Sequence, residues 1–523
     1  MKLSRRDFSL AMAAAAMRPR RLGAVVPTVF SHGVASGDPL ADRVILWTRV
    51  IPPNAAATPV AWVVADGPDF THIVSQGLTA AIPERDFNVK VDATGLQPGT
   101  TYYYRFQALG EESPIGRTRT LPIGGVDRLR FSVASCSNWP WGFFNAYRKI
   151  AQRADLDFVL HLGDYIYEYE NGKFGDGTAI GRIPEPDKEL ITLDDYRTRY
   201  AQYRSDPDLQ EVHRQHPFIV VWDDHESANN SWKGGAENHD AGEGDWQIRK
   251  ANSIRAWYEW LPVREWPFVP NGLIYRTFRF GDLADLILLD TRIIGRDEQV
   301  DPTGKTLPQI LTEVYDPNRS LLGSAQESWF FSQLTASRQR GAQWRLVGQQ
   351  IMMGHLMVAG GRPVNLDQWD GYGASRLRLL WHLLASSISN VVVLSGDLHS
   401  SWANEIAFNP FQAGGYQPLA VEFVGPGITS PAILDQGLAS ILEGLVDGTH
   451  PHVKYVDVDR RGYFLVDLDR ERVQAEWYYP DTVLAPSDVE LFRYAARSAS
   501  GTSLLVPAAG PSAPRPGAPP LAP

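Results

Sequence analysis

Residues 130–136 read RFSVASC, and residues 157–164 read DFVLHLGD. Each is a short apolar run with β-branched or aromatic side chains, the composition of a strand that is buried on both faces. Between them, Phe143, Tyr147 and Ile150 recur at the spacing of one helix face. A strand, a helix and a second strand in this order predict a β-α-β unit with parallel strands.

Further apolar runs continue this pattern toward the carboxyl end of the chain. They lie at residues 218–222, 286–290, 346–350 and 391–395. Strands of this kind need cover on both faces of their sheet, so the sequence predicts an α/β body. We place this body at residues 126–495 and expect it to be the catalytic domain.

The region before this body has a different pattern. Residues 43–48 (RVILWT) and 60–64 (VAWVV) are short runs separated by Gly, Pro and Asp, which is typical of an all-β domain. Residues 94–105 are similar to the corner before a late strand of a fibronectin type III sandwich. We therefore expect a small, fibronectin III-like β-sandwich at residues 28–125.

The two ends of the chain are expected to lie outside both domains. Arg5 and Arg6 precede an Ala-rich apolar run, and this pattern predicts a twin-arginine export signal at residues 1–27. Such a signal implies the twin-arginine export machinery as a partner and a periplasmic or secreted location. The alternative interpretation is that these residues are a basic start to an ordinary soluble chain. Residues 496–523 are rich in Pro and Ala and nearly uncharged, which predicts a disordered tail.

Charge and composition argue against several classes of function. A net charge of −10 disfavours a stable nucleic-acid partner and a membrane-surface role. No stretch beyond the signal approaches the ~20 consecutive apolar residues of a membrane span. An anionic substrate would then need a local source of positive charge, which bound metal ions provide. The single cysteine, Cys136, cannot form an internal disulfide.

Polar side chains follow the predicted strands one after another. In chain order they are Cys136, Asp164, Tyr167, Asp223, Asp224, His225, Glu226, Gln349, Gln350, Asp397 and His399. Ligands of α/β sheets bind at the carboxyl ends of the strands, so we expect these side chains to form one site. Thiolate and phenolate ligands favour a ferric ion, whereas oxygen-rich positions favour Ca²⁺, Mg²⁺ or Mn²⁺. The mixture predicts two or more metals of different softness.

With these motifs, the sequence resembles the PhoD family of alkaline phosphatase/phosphodiesterases, distant relatives of the calcineurin-like metallophosphoesterases and the purple acid phosphatases. The resemblance runs from the twin-arginine start to about residue 490 and includes residues 289–292 (LDTR) and 400–402 (SSW). It implies a four-layer αββα metallophosphoesterase body. It also implies hydrolysis of phosphate mono- and diesters by attack of a metal-activated hydroxide.

The resemblance also implies an iron site. Cys136 stands where the wider superfamily has its first Asp, and it would ligate Fe³⁺. Asp164 would bridge the iron and its neighbour, and Tyr167 would supply the phenolate ligand. His399 matches the second histidine of the Gly-His-x-His motif of the superfamily and would also bind the iron.

The second site departs from the superfamily toward oxygen ligands. Asp224 stands in place of Asn, Asp397 in place of His, and Gln349 or Gln350 in place of a further His. These changes favour Ca²⁺ over Zn²⁺, in line with the iron and calcium that the resemblance implies. His225 would be the catalytic histidine. A second Ca²⁺ is expected as well, with three candidate ligands: Asp223, Asn229 and Asn230.

Several of these residues also have ordinary structural interpretations. Tyr167 could pack among its aromatic neighbours, and Asp223 could cap the following turn. We expect Asp290 and Arg292 to form a structural ion pair that orients loops, and Glu226 to support the metal ligands from behind. Two further histidines are interpreted as ordinary core or polar residues: His161 and His239.

Other functions are compatible with the same α/β body. The centre could act as a diesterase on phospholipid head groups, as a phospholipase D does, on teichoic-acid-like polymers or on nucleotides. Residues 231–245 and the region after Val453 are candidate pocket loops. The chain could instead be a secreted adhesion or carbohydrate-binding protein with an inactive hydrolase body, although no member of the ligand set is replaced by an apolar residue.

Overall fold

The structure is a computed structural model, and it describes residues 28–265, 273–358, 360–431 and 436–523. The expected export signal, residues 1–27, lies outside these residues. Within the described ranges, no helix is both long enough and apolar enough to cross a lipid bilayer.

The strands of the described residues are β1 (Val34–Gly37), β2 (Arg43–Arg49), β3 (Thr58–Ala65), β4 (Ile73–Ala81), β5 (Asn88–Thr94), β6 (Thr101–Ala108), β7 (Glu111–Glu112), β8 (Gly116–Arg119), β9 (Arg128–Ala134), β10 (Val159–His161), β11 (Pro217–Val220), β12 (Arg276–Phe280), β13 (Ala284–Leu288), β14 (Trp344–Gly348), β15 (Met357–Val358), β16 (Arg362–Pro363), β17 (Val391–Ser395), β18 (Ser401–Ile406), β19 (Ala420–Val424), β20 (Val453–Asp457), β21 (Tyr463–Asp469), β22 (Arg472–Pro480), β23 (Glu490–Ala499) and β24 (Val506–Pro507). The α-helices are α1 (Asn145–Ala151), α2 (Leu193–Tyr203), α3 (Pro207–Gln215), α4 (Trp246–Trp260), α5 (Leu307–Val314), α6 (Gly323–Gln339), α7 (Gly373–Ala385) and α8 (Gln436–Thr449).

Two large sheets form the body. One has ten strands in the order β24-β23-β22-β21-β9-β10-β11-β1-β2-β5, and the other has seven in the order β12-β13-β14-β17-β19-β18-β20. The predicted β-α-β unit is β9, α1 and β10, whose strands pair in parallel. The four further predicted strands correspond to β11, β13, β14 and β17, with ends that differ by up to two residues.

The side chains of each central strand alternate between two cores. In β13, Leu286 and Leu288 join the core between the two sheets, whereas Ile287 faces a second core that contains Phe330 of α6 and Leu380 of α7. Because both faces are covered, these strands are continuously apolar. Helices α1 to α4 pack their apolar side chains into the first core. The layers are therefore helix, sheet, sheet and helix, and the predicted four-layer α/β class is confirmed.

The N-terminal β-sandwich is joined to the body through a shared sheet. Strands β1, β2 and β5 extend the ten-stranded sheet, because Ser36 pairs in parallel register with Pro217 of β11. A five-stranded sheet of β3, β4, β6, β7 and β8 faces them. Val44, Val64 and Tyr104 belong to the core between these two layers. The all-β region is present, and three of its strands also belong to the catalytic sheet.

The tail is docked, and the prediction of disorder from residue 496 is wrong. Residues 490–499 form β23, and β24 pairs with it. Arg515 binds both carboxylate oxygens of Asp157 at 2.8 and 2.5 Å, and the Arg214 guanidinium donates to the Pro523 carbonyl at 2.7 Å. The composition argument considered only apolar burial. It missed the polar contacts between the tail and the body, in which arginine side chains of both parts take part.

Candidate metal centre

The predicted site residues lie on loops that leave both large sheets. Cys136 follows β9, Asp164 follows β10, and Asp224 follows β11 in the ten-stranded sheet. Asp397 and His399 follow β17 in the seven-stranded sheet. Strands β9, β10 and β11 are parallel to one another, so their carboxyl ends bring these loops to one edge. The site therefore lies where the carboxyl ends of the two sheets meet.

A first cluster contains the residues that the resemblance assigns to iron. The Cys136 thiol, a carboxylate oxygen of Asp164 and a ring nitrogen of His399 lie within 4.8 Å of one another. The Tyr167 hydroxyl donates to Asp164 Oδ2 at 2.8 Å and lies 3.1 Å from His399 Nε2. Ser430 in turn donates to that hydroxyl at 2.7 Å. The thiol, carboxylate, phenol and imidazole groups are thus brought together.

Two further clusters extend from the first. One contains Asp164, Asp224 and His225, and the other contains Asp223, Asp224 and Asp397, each with ligand atoms within 4.8 Å of one another. Asp164 is shared by the first two clusters, and Asp224 is shared by the last two. The three sets therefore form a continuous chain of candidate ligands, with Asp164 at the junction to the thiol.

The ligand loops are tied together from behind by one carboxylate. Glu226 accepts hydrogen bonds from the backbone N–H groups of Asp164, Tyr165 and Asp223 at 2.8–2.9 Å. Gly163 lets the two loops approach closely, since a Cβ atom there would lie 2.3 Å from the Asp223 nitrogen. The supporting position expected for Glu226 agrees with these contacts.

Four of the clustered residues have left-handed backbone conformations. The φ angles are 61° at Cys136, 53° at Asp164, 62° at Asp397 and 54° at His399. Such conformations are uncommon for residues other than glycine and concentrate at functional sites. Here they occur at four candidate ligands that belong to the overlapping clusters.

Arg292 lies among the carboxylates on the oxygen-rich side. Its fully buried guanidinium binds Asp223, Asp397 and Asp367, the last at 2.7 Å, and lies 3.6 Å from Asp224. These carboxylates raise the pKa of Arg292 despite the opposing effect of burial. Arg292 therefore neutralises part of the charge of the cluster and fixes the directions of its carboxylates.

The expected ion pair between Asp290 and Arg292 is replaced by a backbone interaction. Asp290 Oδ1 accepts from the N–H groups of Arg292 and Ile293 at 2.8 and 3.1 Å, so it caps the turn. The guanidinium points away into the carboxylate cluster. The sequence predicted a pair between Asp290 and Arg292, which are close in the chain. In the structure, three carboxylates from other loops bind the Arg292 guanidinium instead.

His225 is held by a buried carboxylate that the sequence did not single out. His225 Nδ1 donates to Glu168 Oε2 at 2.7 Å, and its ring centroid lies 4.2 Å from that of Tyr167. Burial alone would lower the pKa of His225, but the charges of Glu168, Asp224 and Asp164 raise it well above its ordinary value. Nε2 is the ring nitrogen that does not take part in this contact with Glu168.

The chemistry of the donor set fits bound cations. Burial raises the pKa of the Cys136 thiol, and the charge of Asp164 raises it further. Burial also raises the pKa of Asp223, even though Arg292 opposes the shift. Asp223 Oδ2 and Asp224 Oδ1 are buried without a hydrogen-bond partner among the described residues. Buried carboxylate oxygens are costly in this state, and metal ions are a common way to satisfy them.

The two glutamines are not brought into these clusters. Gln350 donates to the carbonyls of Trp222 and Leu289 at 2.7 and 3.0 Å and accepts from Thr291. Gln349 donates to Ser395 at 2.7 Å and accepts from a tryptophan indole. The amide groups of both residues are thus occupied by structural hydrogen bonds behind the centre.

Asn229 and Asn230 lie beside the oxygen-rich clusters. The Asn230 backbone N–H donates to Asp224 Oδ2 at 2.5 Å, and both side-chain amides bind Glu237. The Asn229 N–H donates to Glu168 Oε1 at 2.7 Å. The structure therefore brings their backbone groups to the centre and directs their side chains to the surface loop at residues 231–245.

The sequence missed several residues that shape the centre. Glu168 supports His225, and Asp367 binds Arg292 together with Arg296. Gln368 donates to Asp397 Oδ2 at 2.6 Å. Glu168 lies only four residues after Asp164, a spacing that could have been noticed. Asp367 follows no predicted strand, so the strand-end pattern had no means of finding it.

Comparisons with known proteins cover the whole of this site. Residues 131–477 match the family described as PhoD-like phosphatase, and residues 16–122 match the family described as PhoD-like phosphatase, N-terminal domain. Alkaline phosphatase D of Bacillus subtilis (strain 168) is 38% identical over 470 residues, which span 87% of this chain and 78% of that relative. A solved structure described as that of PhoD matches with a TM-score of 0.83 and 35% identity over 94% of both chains.

Proposed function

Because the chain belongs to the PhoD-like phosphatase family and is a phosphoric ester hydrolase, we propose that its metal centre combines iron with calcium. The observation that carries this proposal is the chain of three overlapping ligand clusters. A thiol and a phenol lie at one end of it, and only carboxylates lie at the other. The thiol and phenol end suits a ferric ion, and the carboxylate end suits a divalent cation with all-oxygen ligands such as Ca²⁺.

On the iron side, Cys136, Asp164, Tyr167 and His399 would be the protein ligands. The Tyr167 hydroxyl lies within hydrogen-bond distance of both Asp164 and His399, as expected for ligands that share one ion. The His399 Nδ1 atom donates to the Pro431 carbonyl at 2.8 Å. This bond fixes the ring so that Nε2 faces the centre, a common arrangement for a metal-bound histidine.

On the calcium side, Asp224 and Asp397 would be the principal ligands, and Asp164 would bridge to the iron. Asp223 and Asp367 are candidates for a second Ca²⁺, and so is Asn230, whose backbone N–H contacts Asp224. Calcium takes six to eight oxygen ligands at ~2.3–2.6 Å and tolerates irregular geometry. A cluster of carboxylates from four loops suits this preference better than the stricter octahedral geometry of Mg²⁺.

The bound metals would supply an activated hydroxide nucleophile and neutralise the phosphate oxygens. The protein contributes proton transfer and positioning. His225 would donate a proton from Nε2 to the leaving oxygen, while Glu168 holds Nδ1 and stabilises the imidazolium. Arg292 and Glu226 keep the carboxylates and ligand loops in their orientations. The complete ligand set argues against an inactive, purely binding function.

We further propose export of the protein through the twin-arginine machinery to the periplasm or the medium. The support is the Arg5-Arg6 pair before the apolar run in residues 1–27. Replacing both arginines with lysine should retain the chain in the cytoplasm. Fractionation of cells that express the wild type and the double variant tests this, and equal export of the two proteins would refute it.

The central test is hydrolysis of paired aryl phosphate mono- and diesters by purified full-length protein, together with metal analysis. We expect turnover that is lost on chelation and restored by Ca²⁺, with iron that remains bound. A protein that contains zinc at both positions, or that keeps full activity after Ca²⁺ is removed, would contradict the iron–calcium assignment.

A further inference from the structure

An apolar cavity of about 810 Å³ lies next to the metal centre. Its inner wall is formed by the buried side chains of Met352, Leu398, Trp402 and Val446, which belong to one apolar cluster. The volume falls within the range of roughly 300–1,000 Å³ that is typical of small-molecule sites. A cavity of this size and composition is suited to an apolar group.

The cavity and the metal centre share structural elements. Leu398 lines the cavity, and its two neighbours in the chain are Asp397 and His399. Gln368 also lines it, and the side chain donates to Asp397 Oδ2 and accepts from the Met352 N–H, both at 2.6 Å. Leu398 and Gln368 therefore connect the wall of the cavity to Asp397, a candidate metal ligand.

Exposed apolar side chains surround the mouth of the cavity. Val358, Val364, Phe411 and Leu445 line it and are each exposed by 40–59%. Single exposed apolar residues are ordinary, but a cluster that continues into a buried apolar pocket usually marks a binding surface. These exposed side chains thus line the same cavity as the buried residue Leu398.

The charges around the cavity disfavour a polyanionic chain. Among the described residues that line it there is no Lys or Arg. Asp370 is the acidic residue of the wall, and its carboxylate is already bound by His355 and by the Leu356 N–H at 2.9 Å. A polymer with repeated phosphates would place anions against apolar and acidic groups, whereas an alkyl chain would bury its surface without such a penalty.

We propose that this cavity binds an apolar chain carried by the phosphodiester substrate, an inference that rests on the proposed function. The substrate class is therefore a lipid-like diester, with its phosphate at the metals and its alkyl arm in the cavity. Each methylene buried on binding should raise kcat/KM about fourfold, until the cavity is filled.

The test compares three diesters that share a 4-nitrophenyl leaving group. Their other arms are methyl, octyl and an oligo-ethylene glycol of the length of octyl, all used below their micelle concentrations on metal-loaded, full-length protein. We expect kcat/KM for the octyl ester to exceed that for the methyl ester by about a hundredfold or more. We expect the glycol ester to resemble the methyl ester.

Variants at the mouth localise the effect. Leu445→Asp and Val364→Asp should each lower the octyl-to-methyl ratio of kcat/KM at least about tenfold, because they place a charge where the alkyl chain enters. Leu491→Asp is the matched control: this leucine is 55% exposed on β23 and should leave the ratio unchanged. Equal rates for octyl and methyl esters, equal rates for octyl and glycol esters, or a ratio insensitive to both mouth variants would overturn the inference.

A binding measurement separates this inference from the proposed function. Octylphosphonate has a P–C bond and no ester bond, so it cannot turn over, and its calorimetric affinity should exceed that of methylphosphonate, with a more negative heat-capacity change. Absence of hydrolysis with all three diesters would contradict the proposed function, while a retained octyl preference in binding would still support the cavity. Equal affinities of the two phosphonates would overturn the inference alone.

Discussion

Glu168 Oε2 and His225 Nδ1 are 2.7 Å apart and both side chains are buried, so the imidazole is fixed in one orientation by a single carboxylate. The same carboxylate accepts from the Asn229 N–H through its other oxygen. Glu168 therefore links the loop after β10 to the loop after β11. Its position makes the orientation and charge of His225 depend on a residue outside the candidate metal ligands.

Removing this carboxylate should impair catalysis selectively. In Glu168→Gln, the imidazolium loses its stabilising charge, so we expect kcat to fall about 10²-fold for alkyl leaving groups, which require a proton. The loss should be much smaller for 4-nitrophenolate, which departs without one. A Glu170→Gln variant serves as the control, and an equal loss for both leaving groups would contradict proton donation by His225.

Replacement of the thiol should remove the iron. Cys136→Ser retains the size of the side chain but supplies a far weaker ligand for a ferric ion. We expect iron content and turnover to fall together while the thermal unfolding midpoint of the metal-free protein stays within a few degrees of the wild type. Full iron content in Cys136→Ser, measured by elemental analysis, would show that the thiol does not bind it.

Arg292 should stabilise the metal-free protein more than the calcium-loaded one. In Arg292→Met the carboxylates of Asp223, Asp367 and Asp397 lose a buried partner, which should lower the free energy of unfolding by about 3–5 kcal/mol in chelator. Added Ca²⁺ should recover part of this loss, because it supplies the missing positive charge.

The matched control for Arg292→Met is Arg279→Met, since Arg279 is exposed. Its free energy of unfolding should stay within about 0.5 kcal/mol of the wild type. Urea denaturation of the wild type and of both variants, with and without Ca²⁺, measures these free energies of unfolding. An Arg292→Met variant that gains no more stability from Ca²⁺ than the wild type does would place the cation away from this cluster.

The docked tail predicts a measurable role for Arg515. This residue binds Asp157 through two nitrogen atoms, so Arg515→Ala should destabilise the protein by about 1–3 kcal/mol and make residues 508–523 sensitive to protease. Arg497→Ala, at an exposed position of β23, is the control. A tail that is cleaved equally fast in the wild type and in Arg515→Ala would contradict the docked arrangement.

The α/β class and the ligand clusters were predictable because local patterns determine them. Apolar strands such as residues 157–164 are buried on both faces, and the polar residue after each one must lie at the carboxyl edge of a sheet. This reasoning needs no knowledge of which loops touch. It predicted that Cys136, Asp164, Asp224 and Asp397 lie near one another, and in the structure they belong to overlapping clusters.

The features that the sequence did not predict depend on contacts between segments that are far apart in the chain. Arg292 binds Asp367, which is 75 positions away along the chain, and no local pattern predicts that pairing. Arg515 binds Asp157 across 358 positions, and the tail is docked for that reason. The amides of Gln349 and Gln350 could serve as ligands or as structural donors, and only the surrounding carbonyls decide between these roles.

The pairing of β1 with β11 makes one continuous sheet of strands from both domains. A fragment that begins at residue 126 would lose β1, β2 and β5 and would expose the edge of β11, the strand that leads directly to Asp223 and Asp224. An unpaired edge of this kind invites association between chains. The catalytic region should therefore aggregate when it is expressed alone, and attempts to shorten this hydrolase must keep its N-terminal strands.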